Sequence, residues 1–252
     1  MKDGDWELQR DMVKELPGKK ADAVILAPAD SSNMTASAKT LREQKLPVFL
    51  VDTALSSNDY DAAFLTDNLE AGAEVCQQMV EQMKASGVKE SEEATVLVHV
   101  STLASTTISD RLNSIMANWG KFASASWKIE HDYIINYGDE AGAFKLVTEK
   151  IKNTHNVKGI IACNNGSTNA TVEAVMAAGR KDIVVTGFDL GKKTLLGLED
   201  KNYSIAVAVQ NQYKMGYEAV MAAAAAAKDG SKPAQKLVNT GIRMADKNNY
   251  KK

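Results

Sequence analysis

The chain has 252 residues, 44% of them apolar and 25% charged, an ordinary globular composition with room for one large or two ordinary domains. Lys and Arg number 30 against 32 Asp and Glu, a net charge of −2, so no basic surplus exists to neutralise phosphates, which argues against a nucleic-acid-binding body. No apolar run reaches the roughly 18 residues of a membrane-spanning helix, and Met1-Lys2-Asp3-Gly4-Asp5 lacks the basic and apolar regions of a signal peptide.

The first predicted element is a helix from Asp5 to Leu16, with Trp6, Met12, Val13 and Leu16 apolar and Pro17-Gly18 ending it. An α/β domain normally opens on a strand, so this start has the look of an opening in mid-fold. Short apolar runs then alternate with longer amphipathic stretches. The runs are Ala23–Leu26, Val48–Val51, Ala63–Leu65, Val96–Val98, Tyr133–Ile135, Gly159–Ala162, Ile183–Val185 and Ile205–Val209. Most are continuous rather than alternating, the pattern of parallel strands buried on both faces. Helical spacing links Met34, Ala38 and Leu41; then Leu69, Ala73, Cys76, Val80 and Met83, with Asn68 as N-cap; then Leu112, Ile115 and Trp119. Further helices carry Phe144, Val147 and Ile151, then Val172, Val175 and Met176; the last runs from about Gln212 to Lys228. Strand–helix–strand repetition of this kind is an α/β doubly wound fold. A polar, charged stretch from Ser86 to Glu93 marks a domain boundary, and the polar tail from Ala245 to Lys252 is expected to fray.

Ligands of open α/β sheets sit beyond the carboxyl ends of the strands. Asp52 follows one run here, Asp67-Asn68 another, and a Ser/Thr-rich loop leading to Asp110-Arg111 a third. Asn164-Asn165, Gly187-Phe188-Asp189 and Gln210 follow the next three. Carboxylates, amides and an Arg at equivalent positions make bidentate hydrogen bonds to vicinal hydroxyls, although each taken singly also reads as turn or cap chemistry. Asn164-Asn165-Gly166-Ser167 reads equally as an anion nest or as a turn with an N-cap.

No catalytic constellation accompanies these groups. His99, His131 and His155 are scattered and read as structural, no metal-ligand spacing occurs, and Cys76 and Cys163 read as buried free thiols. No G-x-G-x-x-G follows a strand, Gly191-Lys192-Lys193-Thr194 lacks the spacing of a phosphate loop, and no nucleophile elbow exists. The expectation is a non-enzyme with no cofactor.

With these strand ends laid out, the chain resembles a type I periplasmic sugar-binding protein of the ribose/galactose class, a solute-binding protein of ABC transporters. Ala21–Asp30 looks like that family's strand followed by an N/S-P-x-D turn. Leu46-Pro47-Val48-Phe49-Leu50-Val51-Asp52 resembles its I-P-V-I-x-x-D strand. Thr66-Asp67-Asn68-Leu69-Glu70-Ala71-Gly72 is similar to its S/T-D-N-x-x-x-G helix start, and Val184–Asp189 to its V-x-G-F-D signature.

The resemblance implies two doubly wound parallel-sheet lobes that close like a hinge on a monosaccharide or polyol in the cleft between them. The lobes would comprise residues 1–93 with 211–238, and 94–210 with 239–252. Asp52, Arg111, Asn164, Asp189 and Gln210 match the family's ligand-binding positions. Thr53 stands where the family often has Arg, and Tyr137 lies beside Gly138, near the family's sugar-stacking aromatic. The resemblance also implies a membrane permease as partner and a periplasmic or extracellular location, with lipoprotein anchoring in a longer precursor.

Measured against the family, the first strand–helix–strand unit is missing. The first lobe is therefore expected to be N-terminally truncated, and a homodimer or another chain is expected to cover its exposed strand edges. Because one fold serves several functions, the other reading is the effector-binding domain of a LacI-type transcription regulator or a membrane sensor.

Overall fold

Strands occupy all the continuous apolar runs in the computed structural model, which describes residues 5–252. The chain divides into two units, each built on its own sheet. Unit 1 takes residues 5–67, 103–109 and 211–241; unit 2 takes 68–102, 110–210 and 242–252.

In unit 1 the strands β1 (Val24–Leu26), β2 (Val48–Val51), β3 (Ala62–Leu65) and β10 (Leu237–Asn239) form a parallel sheet of order β1-β2-β3-β10. The two-residue period of a strand sends Val48 and Leu50 to one face and Phe49 to the other. On the first face they meet Met34, Ala38 and Leu41, from α2 (Thr35–Glu43) and the residue before it. On the second, Phe49 and Phe64 pack against Ala219, Ala223 and Ala226 of α8 (Gln212–Asp229), whose small side chains let the helix lie close to the rings. The opening helix α1 is Trp6–Lys14, capped by Asp5 Oδ1, which accepts from Leu8 N. Gln9 ties α1 to the end of β1: its Nε2 donates to Ala27 O and its Oε1 accepts from Ala29 N. Val13 is buried, whereas Met12, grouped with it by pattern, is exposed.

In unit 2 a seven-stranded sheet has the order β11-β9-β8-β7-β4-β5, with β6 also pairing β4. These strands are β4 (Ala94–Val100), β5 (Trp127–Ile129), β6 (Ile134–Ile135), β7 (Val157–Ala162), β8 (Val184–Phe188), β9 (Ile205–Gln210) and β11 (Ile242–Asp246). Every pairing is parallel except β11 with β9. One face carries α5 (Glu140–Asn153), α6 (Asn165–Ala177) and α7 (Lys192–Glu199), packed through Val147, Val172 and Leu198 onto Leu97, Ile160 and Val185. Each such aliphatic side chain, fully buried, contributes about 1.5–3 kcal/mol. Against β7, β8 and β9 lies α3 (Asn68–Ala85), and α4 (Thr106–Phe122) crosses it so closely that a Cβ at Gly72 would stand 2.6 Å from Arg111 O.

Two expectations from the sequence are corrected. The division falls at Asp67/Asn68 rather than after Glu93, because the buried face of α3, including Val75 and Met79, packs on unit 2's sheet. The stretch 86–93 is only the connection from α3 to β4. The tail is not frayed: Ala245 is buried in β11, and Tyr250 packs against the unit 2 core. The short elements β5, β10, β11 and α7 were not read from the pattern.

Candidate functional site

The strands β7, β8 and β9 are consecutive neighbours in unit 2, so their carboxyl ends lie side by side. They deliver Asn164, Asp189 and Gln210 to one edge of the sheet. Arg111 of α4 joins that edge and is 1% exposed. Its Nε donates to Asn68 Oδ1 (2.8 Å), its Nη1 to Cys163 O (2.9 Å) and its Nη2 to Gln210 Oε1 (2.7 Å). Gln210 in turn donates from Nε2 to both carboxylate oxygens of Asp189, at 3.0 and 3.3 Å. The guanidinium lies 3.8 Å from the centroid of the Phe188 ring, a cation–π contact that stabilises charge away from water. A buried cation thus orders the ends of β7 and β9 and, through Gln210, the carboxylate after β8. Each polar group of this candidate site is thereby held in place by its neighbour.

Asn164 has an extended backbone and caps α6, its Oδ1 accepting from Ser167 N at 3.2 Å. Of the two readings left open at Asn164–Ser167, the structure shows the N-cap. Burial pushes the neighbouring Cys163 thiol up to about 12 despite the nearby Arg111 charge, and does the same to Cys76, so both thiols stay protonated and inert. His99 is buried on the α6 side of β4 with its Nδ1 2.9 Å from Thr171 Oγ1, and burial lowers its pKa to about 4.

In unit 1, Asp52 and Thr53 follow β2. Thr107 fixes this turn, its Oγ1 donating to Asp52 O at 2.9 Å, and Thr53 Oγ1 lies 3.3 Å from Asp52 Oδ2. Asp52 and Asp189 share one local geometry. The N–H of each still bonds across to the next strand, to Phe64 O and Ala208 O, while its φ is positive, at 65° and 68°. Tyr137, after β6, has φ 48° and a largely exposed ring. Three of the six described non-glycine residues with positive φ are therefore candidate site residues. Each carries a backbone cost on the order of 1 kcal/mol, and strain of this kind concentrates where a side chain must be aimed. Gly138 follows Tyr137 at φ 74°, and Asp139 then caps α5, whose Glu140 lies against Gly166 of α6. Tyr137 thus precedes a helix packed beside the Asn164 cap.

Arg111, Asp189 and Gln210 are brought into one network, with Asn164 at the adjoining strand end. Asp52 and Thr53 form a separate pair in unit 1. Two participants were missed as such. Asn68, read as a cap, accepts from Arg111, and Phe188 supplies the ring face. Both lie within the T-D-N and G-F-D motifs, which were the signal available. No cluster of three metal-ligating side chains and no helix long and apolar enough to cross a membrane occur among the described residues.

Comparison with known proteins bears on this geometry. The family profile described as the periplasmic binding protein domain matches residues 2–232. The D-apiose import binding protein of Actinobacillus succinogenes is 23% identical over 251 residues, covering 99% of this chain and 78% of the relative. A carbohydrate transporter solute-binding protein from Agrobacterium radiobacter, solved with D-arabinose, superposes with a TM-score of 0.89 at 22% identity. The match covers 99% of this chain and 82% of that one. A solute-binding protein of an ABC transporter from Agrobacterium vitis, solved with D-fucose, gives 0.87 at 23% identity, over 98% and 82% of the two chains. At this identity the solved structures establish the shared fold.

Proposed function

The chain belongs to the periplasmic binding protein domain family, and from that premise we propose that it is the solute receptor of an ABC importer that binds a monosaccharide or related polyol. The observation that carries this reading is the buried Arg111–Gln210–Asp189 network at the carboxyl edge of unit 2's sheet. Groups held this way lose little entropy when they engage a ring of hydroxyls: a carboxylate accepts from a hydroxyl while a neighbouring amide N–H donates to the next one. Asp52 and Thr53 are the polar candidates of unit 1, and in unit 2 Tyr137 offers an apolar surface for a sugar face. The same premise supports a periplasmic or extracellular location and a membrane permease as partner.

A thermal-shift panel of D-arabinose, D-fucose, D-ribose, D-apiose and simple polyols tests the reading. A cognate ligand at 100 times its Kd stabilises the folded state by about 2.7 kcal/mol. The expected result is a rise in Tm with at least one sugar, abolished in Asp189→Ala. No shift with any compound, or an equal shift in the variant, would overturn it.

A further inference from the structure

Four buried side-chain polar atoms among the described residues find no partner within the protein: His99 Nε2, Asn136 Oδ1, Ser167 Oγ and Thr186 Oγ1. Native interiors leave few such atoms, and each calls for a reason. Thr186 stands apart: Val185 before it packs with α6, so the Thr186 side chain faces the other side of the sheet. The other three gather on one face in unit 2. Leu97, two residues before His99, packs in the core with Val147 and Val172, which puts His99 on the side of α5 and α6. On β6, Ile134 is the register partner of His99 and belongs to the same core. Asn136 stands two residues on from Ile134, and its N–H extends the ladder by donating to Val100 O at 3.2 Å. It is thus the diagonal neighbour of His99 on that face. Over the ring, α6 brings Thr171, whose Oγ1 is 2.9 Å from Nδ1, and Ser167 lies one turn earlier on the same side of the helix. The Ser167 carbonyl faces the ring as well. His99 and Ser167 are fully buried, and Asn136 nearly so.

Three atoms cannot be satisfied in pairs. An amide oxygen only accepts, a hydroxyl donates and accepts, and a neutral imidazole nitrogen does one or the other according to tautomer. One water molecule meets all three, since it both donates and accepts, and buried waters make about three hydrogen bonds each. Asn136 immediately precedes Tyr137, and the Ser167 N–H is the donor that Asn164 Oδ1 accepts from. We propose that a buried water bridges His99 Nε2, Asn136 Oδ1 and Ser167 Oγ, and that through it His99 is a positioning residue for the turns that carry Tyr137 and Asn164. Its effect on sugar affinity rests on the reading of those two residues as sugar contacts.

Two kinds of measurement test this, one of them without a ligand. A high-resolution crystal structure of the sugar-free protein should show one ordered water within about 3.2 Å of all three atoms. The amide resonances of Tyr137 and Ser167 should shift in His99→Leu and return toward their wild-type positions in His99→Gln, whose amide nitrogen reaches the place of Nε2. His99→Asn, which reaches only the place of Nδ1, should not restore them. Should His99→Leu not fold, the Gln and Asn variants make the same comparison. Isothermal titration with D-arabinose, D-fucose, D-ribose and D-apiose should show an affinity about fivefold weaker in His99→Leu, the weight of one lost hydrogen bond, and near wild type in His99→Gln. A dry site, or a direct hydrogen bond between His99 and Asn136, would overturn the bridge. Equal affinity in wild type and His99→Leu, or a loss in His99→Gln as deep as in His99→Leu, would overturn the positioning role. A wild type that binds none of the four sugars counts against the receptor reading instead, and the crystal structure and the amide shifts then decide the bridge and the positioning by themselves.

Discussion

The two units present the same local device in different surroundings. In each, an aspartate follows a buried parallel strand, keeps its N–H in the ladder and turns to positive φ: Asp52 after β2 and Asp189 after β8. Asp189 is buried, and Gln210 and through it Arg111 hold its carboxylate in place. Asp52 is only half-buried, with a threonine hydroxyl beside its carboxylate and another on its carbonyl. The contrast shows how one backbone solution serves two ends. In unit 2 the candidate carboxylate is buried within a network of buried side chains, whereas in unit 1 it is half-buried beside a threonine.

The largest effect expected from that contrast is at Arg111. Arg111→Met removes one buried cation and leaves Asn68 Oδ1, Cys163 O and Gln210 Oε1 without their donor. Urea unfolding should show a loss of about 3–5 kcal/mol confined to unit 2, and Arg111→Lys should recover only part of it, because an ammonium cannot reproduce the planar fork. A loss under about 1 kcal/mol would break the contrast.

Acid should also separate the units. His99 is charged below about pH 6.5 when unfolded but only below about pH 4 when folded, because burial opposes the charge. The unfolded state therefore binds the extra proton, and unit 2 keeps the full contribution above pH 6.5 and loses it as pH falls toward 4, by about 3 kcal/mol in all. Unit 1 has no histidine. Its buried Asp61 is held below the usual carboxylate range, since Arg42, the Val48 N–H and Lys232 together outweigh burial. Its contribution is kept above the ordinary carboxylate pKa and lost only as pH falls further. Hydrogen exchange at pH 7 and pH 4.5 should show protection falling in β4 and β7 but not in β2, and His99→Gln should remove the difference.

Packing gives the next effect. A methyl group at Gly72 would meet Arg111 O and Ser114 Cβ at 2.6 and 2.9 Å, so Gly72→Ala must part α3 from α4. A cost of about 1–3 kcal/mol is expected in thermal unfolding, together with weakened sugar binding because Arg111 moves with α4.

The smallest effect is at Asp52. Asp52→Ala should lower ligand affinity while changing stability by less than about 1 kcal/mol, because its carboxylate is half-buried and takes a long hydrogen bond, 3.3 Å, from the neutral Thr53 hydroxyl. Isothermal titration and urea unfolding of one preparation would show both. A stability loss as large as that of Arg111→Met would make the two sites alike.

Much of this arrangement was legible in the sequence, for reasons that differ by element. Short, continuous β-branched runs such as Ile160-Ile161 and Val184-Val185, recurring between longer amphipathic stretches, have the pattern of strands buried on both faces, and the α/β class followed from that alternation. Asp189 and Gln210 could be read as strand-end polar groups because the strands before them were unmistakable. Arg111's role was less visible. Its partners Asn68, Cys163 and Gln210 are 43, 52 and 99 residues away, and no local pattern records that they converge. The unit boundary was misread because a polar loop such as 86–93 looks the same between domains as within one. The placement of α3 depends on which sheet its apolar face meets, and periodicity does not specify that. The strand β11 was missed because Ile242–Asp246 pairs antiparallel at the sheet's edge and is only half-buried, so it lacks the continuous apolar run of its neighbours.

The central claim is that a sugar is held by the network of unit 2. Isothermal titration of D-arabinose, D-fucose, D-ribose and D-apiose into the wild-type chain and Asp189→Ala, each confirmed folded by circular dichroism, tests it most directly. The account predicts saturable heat with at least one of these sugars and at least a tenfold loss of affinity in the variant. Binding that Asp189→Ala leaves undiminished, or no saturable heat with any of the four, would contradict it.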